Sequence, residues 1–105
     1  MSAEKKLEEF LDQGKSWERL ATSIPGVFVL KLPPYKGRPP NLVVELNPVD
    51  SNLKPIKRRG LVLRSVEELE AFIELYKPEK IGSLLSMIET VNPAEHRRGK
   101  KIIEL

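Results

Sequence analysis

The chain has 105 residues, 31% of them charged and 40% hydrophobic, with net charge +3, no cysteine and one histidine. That length suits a single domain with one core, and the missing thiols exclude disulfides, thiol catalysis and cysteine-ligated zinc. No apolar run approaches the roughly 20 residues that span a bilayer.

Residues 1–12 are acidic and amphipathic rather than leader-like, so the expected location is cytoplasmic. Nine prolines, two methionines and the high charged fraction suggest a thermophilic source. In chain order, Leu7, Phe10 and Leu11 recur at helical spacing behind Ser2, an available N-cap. The spacing predicts a helix over about 3–13, then, past Gly14, a short second helix capped by Ser16 and carrying Trp17 and Leu20. Ile24-Pro25-Gly26 signals a turn, and Val27 to Leu32 reads as a strand. After the loop Pro33 to Pro40, Leu42 to Leu46 is a second strand. Leu53 to Lys57 is a short extended segment confined by Pro55 to an edge, and Gly60 to Arg64 is a third strand.

Ser65-Val66-Glu67-Glu68 forms a capping box opening a helix with the stripe Val66, Leu69, Phe72, Ile73 and Tyr76. Pro78 stops it and suits the first turn of the next helix. That helix carries Ile81, Leu84, Leu85, Ile88 and Val91 on one stripe and ends at Asn92-Pro93. A helix, a meander of three to four strands and two further helices argue for an α+β domain over residues 1–95. Its sheet is antiparallel, backed by helices on one face and open on the other. Residues 96–105 form a basic tail, read either as added affinity or as a solubilising extension.

Charge is segregated along this order. Residues 31–64 hold eight basic and two acidic residues, a local +6, whereas residues 65–95 hold two basic and seven acidic, a local −5. A basic, proline-stiffened β region is a plausible surface for a polyanion. Alternation assigns Phe28, Leu30, Leu32, Leu42, Val44, Leu46, Leu61 and Leu63 to the face beneath the helices. The open face would then carry Val27, Val29, Lys31, Val43, Glu45, Val62 and Arg64, a mixed apolar and cationic surface. Single strands need both properties, cations for phosphates and flat or apolar groups for bases. A second small core or a subunit interface is the alternative use of such a face.

Candidate phosphate ligands are Lys31, Lys36, Arg38, Lys54, Lys57, Arg58, Arg59 and Arg64; Lys54, Lys57, Arg58 and Arg59 form the densest group before the tail, for which a solvated, charge-rich turn is the alternative. Tyr35, on the proline-flanked loop, is a candidate for base stacking, or else folds back onto the prolines. Val29 and Trp17 are candidate base contacts, although a tryptophan at such a position is more often core. Catalysis has little support. The one histidine, His96, sits in the tail, no glycine-rich phosphate loop is present, and Glu67, Glu68 and Glu70 suit a helix start. No metal or cofactor is expected.

Residues Trp17 to Pro93 resemble the ThermoDBP family of archaeal single-stranded DNA-binding proteins, and its shorter ThermoDBP-related branch in particular. The likeness rests on the order of elements, on Leu42-Val43-Val44-Glu45-Leu46, on Arg58-Arg59-Gly60-Leu61-Val62-Leu63 leading into the Ser65 cap, and on Leu75-Tyr76-Lys77-Pro78. It implies a sheet cradle backed by helices, with an apolar cleft edged by basic residues that binds single strands without reading sequence. It also implies a homo-oligomer, a dimer or tetramer. The founding members carry a C-terminal leucine zipper; no heptads follow Asn92 here, so assembly would use helices or sheet edges. The strand order is also similar to that of Whirly-like transcriptional coactivators, another group of single-strand binders.

The expectation is thus a non-enzymatic single-stranded DNA-binding protein. An RNA-binding or coactivator-like module, or an interaction module for an acidic protein partner, stands as the alternative.

Overall fold

The computed structural model describes residues 2–93. The basic tail expected at 96–105 lies outside them. Three helices and four strands follow in the order α1 (Ala3–Gln13), β1 (Arg19–Ala21), β2 (Val27–Leu32), β3 (Asn41–Leu46), β4 (Leu61–Leu63), α2 (Val66–Tyr76) and α3 (Lys80–Val91). The strands form one antiparallel meander, β1-β2-β3-β4, and the fold is α+β. By internal contacts the chain divides into two compact units, with the boundary inside α2 after Glu70.

The caps lie where the sequence places them. Ser2 Oγ accepts from the Lys5 amide at 3.1 Å and starts α1. At α2 the Ser65 hydroxyl accepts from the Glu68 amide at 3.1 Å, while the Glu68 carboxylate reaches back to the Arg64 amide at 2.7 Å, one residue beyond the usual box. Among the described residues no helix is long and apolar enough to cross a membrane.

Two expected elements differ. The short helix at Ser16–Leu20 is a turn followed by β1, whose Arg19, Leu20 and Ala21 pair with Leu30, Val29 and Phe28. Helical spacing of Trp17 and Leu20 was a weak signal against the chance to extend a sheet beside β2. The segment Leu53–Lys57 is not a strand. It lies in an irregular loop where Asp50 Oδ1 accepts from the amides of Asn52 and Lys54, and only Val49 and Pro55 bridge.

The register corrects the two faces. Val29 pairs with Val44, Lys31 with Leu42, Leu30 with Val43 and Phe28 with Glu45; cross-strand partners share a face. One face therefore carries Val29, Lys31, Leu42, Val44 and Leu63, and the other Arg19, Phe28, Leu30, Leu32, Val43, Glu45 and Val62. The phase assigned to β2 was inverted relative to β3 and β4. Leu7 of α1 and Val66 and Leu69 of early α2 border an apolar groove over Val29, Leu42, Val44 and Leu63, so these helical segments lie on the first face.

The second face is divided. Phe28 is flanked by Val49 and Leu53 of the 47–60 segment, whereas Leu32 and Val62 line an open cavity. Phe28, Leu30, Val43 and Leu63, with Phe10 of α1, are the buried apolar core. No residue of α3 is buried, and its apolar positions Ile81, Leu84, Leu85 and Ile88 are exposed.

Candidate nucleic-acid interface

A cavity of about 450 Å³ opens on the second face, lined by Trp17, Leu32, Pro33, Tyr35, Arg38, Asn41, Arg59, Val62 and Arg64. Its size is at the small end of ligand pockets. The strands supply an apolar floor through Leu32 and Val62, and the loops bring up two aromatics and three arginines.

The loop of Tyr35 is built tightly. Tyr35 and Arg38 exchange both backbone hydrogen bonds, at 3.0 and 2.9 Å, across Lys36 and Gly37. Both central residues have positive φ, +47° and +83°, the signature of a primed hairpin turn. Proline pairs on either side restrict the backbone further. Paired in this way, Tyr35 and Arg38 stand side by side and both reach the cavity, while Lys36 takes the tip with its ammonium 5.3 Å from the Tyr35 ring centroid.

The Arg58-Arg59 segment is held by a buried acid. Glu45 is 1% exposed and accepts from Arg19 Nε at 2.5 Å, Arg19 Nη2 at 3.1 Å and the Gly60 amide at 2.8 Å. Arg19 also donates to the Arg58 carbonyl at 2.6 Å. Asn47, equally buried, donates to the Lys57 carbonyl at 2.7 Å and accepts from the Lys57 amide at 3.1 Å. Residue 60 has to be glycine, because a Cβ there would strike the Leu46 carbonyl oxygen and come within 2.8 Å of Asn47 Cβ. The backbone of residues 57–60 is therefore fixed, while the Arg59 side chain extends over the Trp17 ring, 4.5 Å from its centroid. The Arg19 guanidinium, aided by the Gly60 amide, holds the Glu45 carboxyl below the usual carboxylate range against the cost of burial; Glu45 in turn raises Arg19.

Of the residues expected from the sequence, Trp17, Tyr35, Arg38, Arg59 and Arg64 meet in this one cavity. Arg58 lines an adjoining recess of about 210 Å³ with Arg19, Leu30 and Glu45. Lys36, Lys54 and Lys57 are exposed and do not line the cavity.

Val29 and Lys31 are corrected. Register turns both to the helix-side face, where Val29 lines the apolar groove. Lys31 is 8% exposed, and its ammonium donates to the Gly14 carbonyl at 2.8 Å, at the end of α1. A lysine so engaged stabilises the fold rather than meeting a ligand. Sequence reasoning missed Arg19, Asn41 and the floor residue Leu32; Val62 was placed on the open face but given no role. Glu45 carried a usable signal: one acid among Leu42, Val43, Val44 and Leu46 requires a buried partner.

Among the described residues no group of three or more metal-ligating side chains occurs. Comparisons with protein families, with curated proteins and with solved structures find no match to this chain, so the chemistry of the cavity carries the functional reading.

Proposed function

We propose that the protein binds single-stranded DNA without reading its sequence, and acts by binding rather than by catalysis. One observation carries the reading: Trp17, Tyr35, Arg38, Arg59 and Arg64 line the same apolar-floored cavity. Arginines supply cations for phosphates, aromatic rings supply sequence-tolerant stacking surfaces, and a recess of this kind suits unpaired bases rather than a stacked duplex. The resemblance to ThermoDBP-related proteins points the same way. Membership of that archaeal group, a thermophilic source and a cytoplasmic location belong to the same proposal.

The test is one salt titration comparing single-stranded DNA, duplex DNA and RNA of equal length. Single strands are expected to bind more tightly than duplex. If each of three arginines neutralises one phosphate, log K should fall against log salt with a slope of about −2, from about −0.7 per contact. Equal affinity for duplex and single strand, or a slope near zero, would overturn the reading. Equal affinity for RNA would widen the ligand to single strands generally.

An acidic protein partner accounts for the arginines but leaves both aromatics of the cavity wall without a role. A partner retained against excess oligonucleotide would favour it. The proposal also includes self-association as a dimer or tetramer, for which the unburied apolar positions of α3 supply a surface. A monomeric mass by light scattering would remove that part.

A further inference from the structure

Trp17 stands where the backbone favours glycine. Its amide donates to the Lys31 carbonyl at 2.6 Å, while the Lys31 amide donates to the Glu18 carbonyl at 3.1 Å, so two residues oppose one in a β-bulge. The Glu18 amide also closes a turn onto the Lys15 carbonyl at 3.0 Å. Trp17 takes this place with φ +70°, the left-handed region that a bulky side chain rarely adopts. Burial offers little in return, since the residue is 49% exposed. Strain of this kind, kept by a side chain the core does not need, marks a residue held for a ligand.

The indole is not bare in the free protein. The Arg59 guanidinium lies over it at 4.5 Å, too close for a base to enter between them. Together the two side chains stand between the 450 Å³ cavity and the 210 Å³ recess, both of which reach Val62. The bonds at Arg58 and Gly60 fix the backbone on either side of Arg59. Its side chain can therefore swing away without moving the loop.

We propose that Trp17 is the base-stacking platform and that the Arg59 guanidinium is its place-holder, displaced by an incoming unpaired base and released to the strand's phosphates. The proposal rests on the single-strand reading above. An exposed cation–π contact is weaker than base–aromatic stacking, so the exchange favours the base. It exposes the indole only when a ligand replaces the cation, and it couples stacking to phosphate contact through one side chain.

Trp17 is the sole tryptophan of the chain, so its fluorescence reports on the platform directly. The experiment follows that emission for wild type, and the anisotropy of labelled oligo-dT for wild type, Arg59→Ala and Trp17→Gly across a salt series. Wild-type emission should change on saturation. Arg59→Ala should show a salt slope shallower by about 0.7. It should bind more weakly at low salt, yet roughly 2- to 5-fold more tightly than wild type near 1 M, where the lost cation no longer helps and no longer competes. Trp17→Gly should bind roughly 10- to 100-fold more weakly at every salt, while melting at or above the wild-type temperature, because glycine adopts this backbone without strain.

Weakening of Arg59→Ala by a constant factor at all salts would overturn the place-holder. Wild-type binding by Trp17→Gly, or unchanged emission at saturation, would overturn the platform. Failure of wild type to bind oligo-dT at any salt would instead overturn the single-strand reading itself, and this proposal with it.

Discussion

On the helix-side face of the sheet, the one cation of β2, Lys31, is buried with its ammonium bonded to the Gly14 carbonyl. On the opposite face Arg38, Arg59 and Arg64 ring an open cavity and form no ion pair among the described residues. All four belong to the same basic stretch, and charge counting treats them alike. Strand register separates them: the lysine closes the end of α1, while the arginines are left available. Arg19 shows a third use, since it shares the cavity side of the sheet but is bound to Glu45. A basic stretch is therefore a mixture of structural and available cations, and only the pairing of the strands sorts them.

Glu45 offers the largest way to break this division, because the arginine side depends on it. Glu45→Gln leaves Arg19 without its carboxylate. Losing one partner of a buried pair costs about 3–5 kcal/mol, and the one-third exposure of the Arg19 side chain places the expected loss near the lower value. Urea denaturation measures it. A loss below about 1 kcal/mol would mean that the pair behaves as a surface contact.

The same pair sets an acid limit. The folded carboxyl lies below its unfolded value of about 4.3. Its stabilising contribution is therefore complete above that value and is lost as pH falls through the lowered folded one. Stability against pH should fall less steeply in this acid range for Glu45→Gln than for wild type. Parallel profiles would remove Glu45 as the cause.

Two smaller effects sharpen the contrast between the faces. Lys31→Met keeps the apolar stem but leaves the Gly14 carbonyl without its donor, with an expected cost of about 1–2 kcal/mol and no change in the salt slope of binding. Arg59→Ala should do the reverse, shifting stability by no more than about 0.5 kcal/mol while flattening the slope. A flattened slope for Lys31→Met would place that lysine among the ligand contacts.

Much of this fold is readable from the sequence where a local rule and the tertiary structure agree. Ser2 and Ser65 cap their helices, and β2, β3 and β4 follow runs of β-branched and aliphatic residues. The faces were harder to read. Val27 to Leu32 and Asn41 to Leu46 are apolar at both parities, so alternation alone fixes no phase and only pairing does. β1 was hidden because its bulge holds tryptophan where glycine would have signalled a turn. The cavity was half legible. Its arginines and aromatics were visible as residue types and Val62 already lay on the open face, but Lys31 and Val29 followed the inverted phase of β2 out of the site, and Leu32 entered it. Arg19 gave no sign of its role until Glu45 was known to be buried.

The central claim is that the cavity-side arginines, and not the basic stretch as a whole, hold the strand. The most direct measurement is the salt dependence of oligo-dT binding for wild type, Lys31→Met and the triple variant Arg38→Ala/Arg59→Ala/Arg64→Ala. Wild type and Lys31→Met should share a slope of about −2, and the triple variant should lose most of it. A triple variant that binds with wild-type affinity and slope would contradict the claim.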